Sequence, residues 1–124
     1  MSNMAKPRFV FLLLREHPYG REMLRQLLSA GHSPVLIIEE DSPVADEERE
    51  KFLERIAGNE IAPTIEEQAL RNGISVVTVP IHNSSEVMPH IEEMDLDLVV
   101  FGGTRIIRGD ILDFPKDGVV NSHP

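Results

Sequence analysis

A run of six consecutive apolar residues, FVFLLL at positions 9–14, constrains the fold more than any other feature of the sequence. Unbroken hydrophobicity over this length indicates a strand that is covered on both faces, as in the centre of a parallel sheet. Similar apolar runs recur at 34–40, 74–79 and 98–101, and a short one follows the turn at 115–118. We therefore predict five buried strands.

The segments between these strands carry helix signals. Apolar residues at 23, 24, 27 and 28 form one stripe, and Gly31 follows as a stop. Start signals occur at 41–43, 64–67 and 83–86, where a Ser, Thr or Asn precedes the predicted first turn. Strands that alternate with helices predict an α/β fold: a Rossmann-like parallel sheet with helices on both faces and right-handed crossovers.

Composition limits the class of protein. The chain has 124 residues, enough for one domain, and we assign residues 1–7 to a flexible leader and 8–124 to that domain. Cysteine is absent, which excludes disulfides and thiolate chemistry. The net charge of −9 argues against nucleic acid, and the acidic stretch 39–54 is predicted to be a solvated face. Because the longest apolar run is far shorter than the ~20 residues of a membrane helix, we expect a cytoplasmic protein.

Ligands of parallel sheets bind beyond the carboxyl ends of the strands. Three polar or glycine-rich strand ends, 16–20, 102–105 and 121–123, are predicted to converge there. The first lacks the G-x-G-x-x-G spacing, so ordinary dinucleotide binding is not expected. The glycine pair at 102–103 fits a flat ligand against the backbone and equally a simple strand end. By residue type alone, Arg105 is predicted to lie at the surface.

Asn121 and His123 are two residues apart on the last predicted strand, so their side chains leave the same face. An amide can stabilise an oxyanion and an imidazole can move protons at neutral pH, a combination that fits acyl transfer. The same pair also fits a loop entered through a proline, with no chemistry. The histidines at 32, 82 and 90 fall on separate elements without a carboxylate arrangement, and no metal site is predicted.

The C-terminal part of the chain resembles the folate-dependent formyltransferases, a family that includes glycinamide ribonucleotide transformylase and methionyl-tRNA formyltransferase. The resemblance is carried by LVVFGGTRII at 98–107, Ile111-Leu112, Pro115 and GVVNSHP at 118–124. It is strongest over 97–124, and the order of strands and helices extends it loosely back to residue 8.

The resemblance implies an enzyme that takes a formyl group from 10-formyltetrahydrofolate. Asn121 would hold the formyl oxygen, and His123 would move protons during transfer. The loop that contains His17, Tyr19 and Gly20 would face the amine of the acceptor. It does not match the glycine-rich phosphate loop of the purine enzyme, which disfavours a ribonucleotide acceptor. The pterin pocket would be lined by Gly103, Thr104, Arg105, Ile106 and Ile107.

In the family, the histidine-proline motif is followed by further strands and by a catalytic aspartate. Asp110 and Asp113 precede the motif and cannot take that role. We therefore expect a truncated, cleaved or split chain that is inactive alone, together with a complementary chain or a self-associated form. Two alternatives remain open: a formyltetrahydrofolate hydrolase, with water as acceptor, and a non-catalytic half-domain that binds folate or a partner.

Overall fold

The computed structural model describes residues 6–122. The predicted leader is therefore outside it except at residues 6 and 7, and His123 is outside it altogether. Within this range, no helix combines the length and the apolar character that crossing a membrane requires. In chain order the elements are β1 (Phe9–Leu14), α1 (Pro18–Ser29), β2 (Leu36–Glu40), α2 (Pro43–Arg55), α3 (Ile65–Asn72), β3 (Val76–Val79), α4 (Ser84–Ile91), β4 (Leu98–Gly102), α5 (Asp110–Asp113) and β5 (Val119–Ser122).

The five strands form one parallel sheet in the order β3-β2-β1-β4-β5. Leu12 on β1 is opposite Ile38 on β2 and Phe101 on β4. The chain winds outward from β1 in one direction through β2 and β3, and then continues from β4 on the other side. This confirms the predicted α/β Rossmann-like fold and places the reversal of strand order between β1 and β4.

Strand β1 is central, and all six of its side chains are buried, as the unbroken apolar run predicts. Successive side chains point to opposite faces, so the sheet has two hydrophobic layers. One layer contains buried residues of β1, α1 and α3, such as Phe11, Leu24 and Ile65. The other contains buried residues of β1, α4 and α5, such as Leu12 and Ile111. Burial on both faces is what holds a short parallel strand in the middle of the sheet.

The helix starts follow the predicted signals. Ser42, Thr64 and Asn83 are the N-caps of α2, α3 and α4, and each side chain accepts a hydrogen bond from the backbone N–H three residues later. Pro43 is the first residue of α2, where its missing N–H costs nothing. Gly73 ends α3 in the left-handed conformation. The parallel pairing of all five strands places their carboxyl ends at the same edge of the sheet.

Candidate functional site

The three strand ends predicted to converge do meet at the carboxyl edge of the sheet. The backbone N–H of Leu14 donates to the carbonyl of Gly103 at 2.8 Å, which joins the end of β1 to the end of β4. The hydroxyls of Tyr19 and Ser122 are hydrogen-bonded, which joins the start of α1 to the end of β5. The convergence lies where the strand order reverses, the usual position of ligand sites in such sheets.

A cavity of about 330 Å³, which we call the β5 cavity, opens between β5 and the segment after β4. Its lining contains four of the five predicted pterin residues and the predicted oxyanion residue. Ile107 is anchored in the core, whereas Ile106 is 79% exposed, and Asn121 is exposed at the rim. The lining residues are Phe101, Thr104, Arg105, Ile106, Ile107, Leu112, Val119 and Asn121.

A second cavity, of about 320 Å³, is adjacent and contains His17; we call it the His17 cavity. It shares Thr104, Arg105 and Ile106 with the β5 cavity. Residues 103–107, which we call the wall segment, therefore separate the two spaces. The remaining lining residues are Leu14, His17, Val44, Glu48 and Gly103. A substrate in one cavity would lie close to a substrate in the other.

His17 is the N-cap of α1, and its ring is buried against Phe52 at a centroid distance of 4.9 Å. Its Nδ1 accepts a hydrogen bond from the N–H of Tyr19 at 3.2 Å, so the neutral ring carries its proton on Nε2. Burial lowers the pKa of His17, and the carboxylate of Glu48 opposes this only in part. Burial therefore favours the neutral form of His17, with its proton on Nε2.

Tyr19 and Gly20, the other two residues predicted to face the acceptor, do not line either of these two cavities. Tyr19 is half-buried and holds Ser122. Gly20 is buried, and a Cβ there would lie 2.5 Å from the carbonyl oxygen of Gly102. Its lack of a side chain lets α1 approach β4, so the structure gives this glycine a packing role.

Beside the wall segment lies a group of polar residues that the sequence did not predict, which we call the Glu40 cluster: Glu40, Ser42, His82 and Arg105. Glu40 ends β2 and is fully buried. The guanidinium of Arg105 donates two hydrogen bonds to its carboxylate, at 2.7 and 2.6 Å. The Ser42 hydroxyl donates a third at 2.5 Å, and the backbone N–H of His82 donates a fourth at 2.8 Å.

The Glu40 cluster corrects three predictions. Glu39 and Glu40 are buried and do not belong to a solvated face. The Arg105 side chain is only 26% exposed, because it turns inward to Glu40, and is not a simple surface residue. His82 does have a carboxylate neighbour, since its Nδ1 lies 3.9 Å from Glu40. No sequence signal joins these residues, which come from three separate loops.

Hydrogen bonds within this cluster determine the direction in which the pKa of Glu40 is shifted. Burial alone would raise the pKa of Glu40, but the hydrogen bonds from Arg105, Ser42 and His82 outweigh it and hold that pKa below its usual value. Burial lowers the pKa of His82, whose Nε2 is 2.9 Å from the carbonyl of Ile38. At neutral pH the cluster is thus an ionised Glu40–Arg105 pair beside a neutral imidazole. In the described part of the chain, no group of three or more His, Asp or Glu side chains is arranged to hold a metal ion.

Asn121 pairs with Phe101 across the β4–β5 ladder. Strand alternation places its side chain on the same face as Val119, toward α5 and the β5 cavity. Compared with known proteins, the chain matches no protein-family model and has no significant match among curated proteins. The site therefore rests on its own geometry and on the sequence resemblance.

Proposed function

We propose that the chain is the N-terminal, catalytic-site-bearing part of a folate-dependent N-formyltransferase. The observation that carries the proposal is the β5 cavity, where Asn121 faces the same space as Thr104, Arg105, Ile106 and Ile107. These residues come from two sequence segments, separated by α5, that the resemblance links through a single ligand, 10-formyltetrahydrofolate. Their meeting at one cavity is what such a ligand would require.

In the proposed reaction, the acceptor amine attacks the formyl carbon of the donor. A new carbon–nitrogen bond forms, and the carbonyl electrons move to the formyl oxygen. The side-chain N–H of Asn121 would donate to that developing oxyanion, an interaction that is strongest in the transition state. His123 would take the proton from the attacking amine and return one to the N10 leaving group, so that tetrahydrofolate departs neutral at that nitrogen.

The electrostatics of the wall segment support a pterin more than a phosphate. Glu40 neutralises Arg105, so the pair presents directed N–H donors without net charge. Such donors suit a neutral ring with hydrogen-bond acceptors. In the adjoining His17 cavity, the Glu48 carboxylate suits an amine-bearing acceptor better than an anionic one.

Binding is the first test, with an oxidation-stable deaza analogue of 10-formyltetrahydrofolate as the probe. Ile106 and Leu70 are both aliphatic and about 80% exposed, but only Ile106 lines the β5 cavity. Ile106→Ala removes apolar surface that the pterin would cover and should weaken binding by about tenfold. Leu70→Ala, the matched control, should leave the Kd unchanged. Equal effects, or no binding by the unmodified chain, would contradict the proposal.

Turnover separates the alternatives. Transfer of labelled formyl to an added amine supports the transferase, whereas release of formate without an amine supports the hydrolase. In the enzyme completed by its complementary chain, removing the oxyanion donor by Asn121→Ala should lower kcat by about 100-fold or more. If Asn121→Ala and His123→Ala leave measured turnover unchanged, the catalytic assignment is wrong. Folate binding without turnover of either kind fits the expectation that a further carboxylate is needed, or the non-catalytic half-domain.

A further inference from the structure

The wall segment separates the two cavities but has little backbone structure of its own. Within residues 6–122, no backbone-to-backbone hydrogen bond involves residues 104–107. One end is fixed by the hydrogen bond from the Leu14 N–H to the Gly103 carbonyl, and the other end by the buried side chain of Ile107. Between these two points, the conformation must be held by side chains.

Arg105 fixes the conformation of the wall segment through its hydrogen bonds to Glu40. Each carboxylate oxygen of Glu40 accepts two hydrogen bonds: Oε1 from Arg105 Nε and the backbone N–H of His82, and Oε2 from Arg105 Nη2 and Ser42 Oγ. The hydrogen bonds from Ser42 and His82 therefore fix the position of the Glu40 carboxylate independently of its contact with Arg105. A two-point contact fixes the plane of the guanidinium as well as its distance.

We propose that Glu40 is a positioning residue of the site: it holds Arg105, and through it the wall segment, in the conformation that forms both cavities. The inference rests on the proposed function only for the identity of the ligand. Glu40 itself is fully buried and does not line either of the two cavities, so it acts on a ligand only through Arg105. Three of the five N–H donors of Arg105 are not used by Glu40 and are left for that ligand.

The test compares the backbone ¹⁵N order parameters of residues 104–107 in four variants. Glu40→Gln keeps the shape of the side chain but removes the charge and two of the four acceptor positions. It should lower the order parameters from about 0.85, the value of rigid backbone, to about 0.6 or less. Glu39→Gln is the matched control: the adjacent glutamate is also buried but contacts Thr78, not Arg105. It should leave these values unchanged.

Arg105→Gln and the double variant complete a cycle. Arg105→Gln should loosen the wall segment as Glu40→Gln does, and adding Glu40→Gln should cause no further change there. If the substitutions instead acted by a general loss of stability, their effects on the order parameters would add in the double variant and would also appear in other segments. Because the double variant leaves no unpaired buried charge, it remains measurable if either single variant does not fold; an unchanged wall segment in the double variant would overturn the proposal.

The Kd of the deaza-folate analogue is the second readout. Glu40→Gln should weaken binding about tenfold, and should have no effect once Arg105 is already replaced. If the analogue does not bind the unmodified chain, the proposed function fails, but the order parameters still decide the role of Glu40. If Glu40→Gln leaves both the order parameters and the Kd as in the unmodified chain, Glu40 is not a positioning residue.

Discussion

Glu39 and Glu40 are adjacent at the end of β2, and both are buried, yet they lie on opposite faces of the sheet and their pKa values are shifted in opposite directions. Glu40 accepts four hydrogen bonds and its pKa is lowered. Glu39 accepts one, from the Thr78 hydroxyl at 3.0 Å, and burial raises its pKa. Burial alone therefore does not decide the direction in which the pKa of a carboxylate shifts; the hydrogen bonds that the carboxylate accepts also count.

The two faces also differ in what they offer a ligand. The cavity on the Glu39 face, about 370 Å³, is larger than the β5 cavity, but of the predicted converging residues it contains only Glu16, and it contains none of the predicted catalytic, pterin or acceptor residues. Exposed Leu70 and the carboxylates of Glu16 and Glu66 contribute to its lining. On the Glu40 face, by contrast, the Glu40–Arg105 ion pair lies beside the β5 cavity, and the Asn121 amide lies at the rim of that cavity. Convergence of polar groups marks the site better than volume does.

The largest expected effect on stability comes from a substitution that disrupts the Glu40 cluster. Glu40→Gln should lower the free energy of unfolding at pH 7 by about 3 kcal/mol, because Arg105 loses its partner in a largely buried setting. The lowered pKa of Glu40 means that its contribution is present above the ordinary glutamate pKa and is lost as the pH falls through the folded-state pKa. Urea unfolding at pH 7 and pH 3 should show a difference that shrinks in acid. A pH-independent difference would contradict the assignment.

The next effect compares two helix caps, one that contacts Glu40 and one that does not. Ser42 caps α2 and also donates to Glu40, whereas Thr64 caps α3 without contacting a buried charge. Ser42→Ala should cost about 2 kcal/mol, since it loses the cap and a charge-assisted hydrogen bond, and Thr64→Ala about 1 kcal/mol. Thermal unfolding measures both. Equal losses would show that the Ser42–Glu40 contact contributes nothing beyond the cap.

A smaller effect concerns the wall segment. Gly103 and Gly118 both have positive φ, +83° and +99°, but only at Gly103 would an added Cβ meet a neighbour, the His17 ring at 3.3 Å. Alanine at either position should cost about 1 kcal/mol in backbone strain. Gly103→Ala should also displace the His17 ring, visible as shifted imidazole resonances. Unchanged His17 resonances would place the ring farther from the wall segment than the structure does.

The smallest expected effect is an increase, not a decrease, in the free energy of unfolding. Glu39→Gln keeps the acceptor for Thr78 but removes a charge that burial disfavours, and should stabilise the protein by about 0.5–1 kcal/mol at pH 7. Since the folded-state pKa of Glu39 is raised, the gain should appear above the ordinary glutamate pKa and vanish below it. Unfolding measured at pH 7 and pH 3 checks this. A destabilised Glu39→Gln at pH 7 would reverse the comparison with Glu40.

The fold could be predicted from local signals, because the apolar run at 9–14 and the caps at Ser42, Thr64 and Asn83 each act within a few residues of sequence. The Glu40 cluster could not. Glu40 and Arg105 are 65 positions apart, and in sequence a glutamate near an acidic helix is typical of a solvated surface. Only the pairing of β2 and β4 with the two sides of β1 brings them together. The strand that carries Asn121 could be predicted from local signals, whereas the catalytic role of Asn121 stays a prediction.

The proposed function requires the folate donor to bind on the Glu40 face, between the wall segment and Asn121. The most direct measurement is a crystal structure of the chain with the deaza analogue of 10-formyltetrahydrofolate. We predict the pterin against residues 104–107, with the formyl oxygen within hydrogen-bonding distance of the Asn121 side-chain amide. An analogue bound in the cavity beside Glu39 and Leu70, or none bound at saturating concentration, would contradict this prediction.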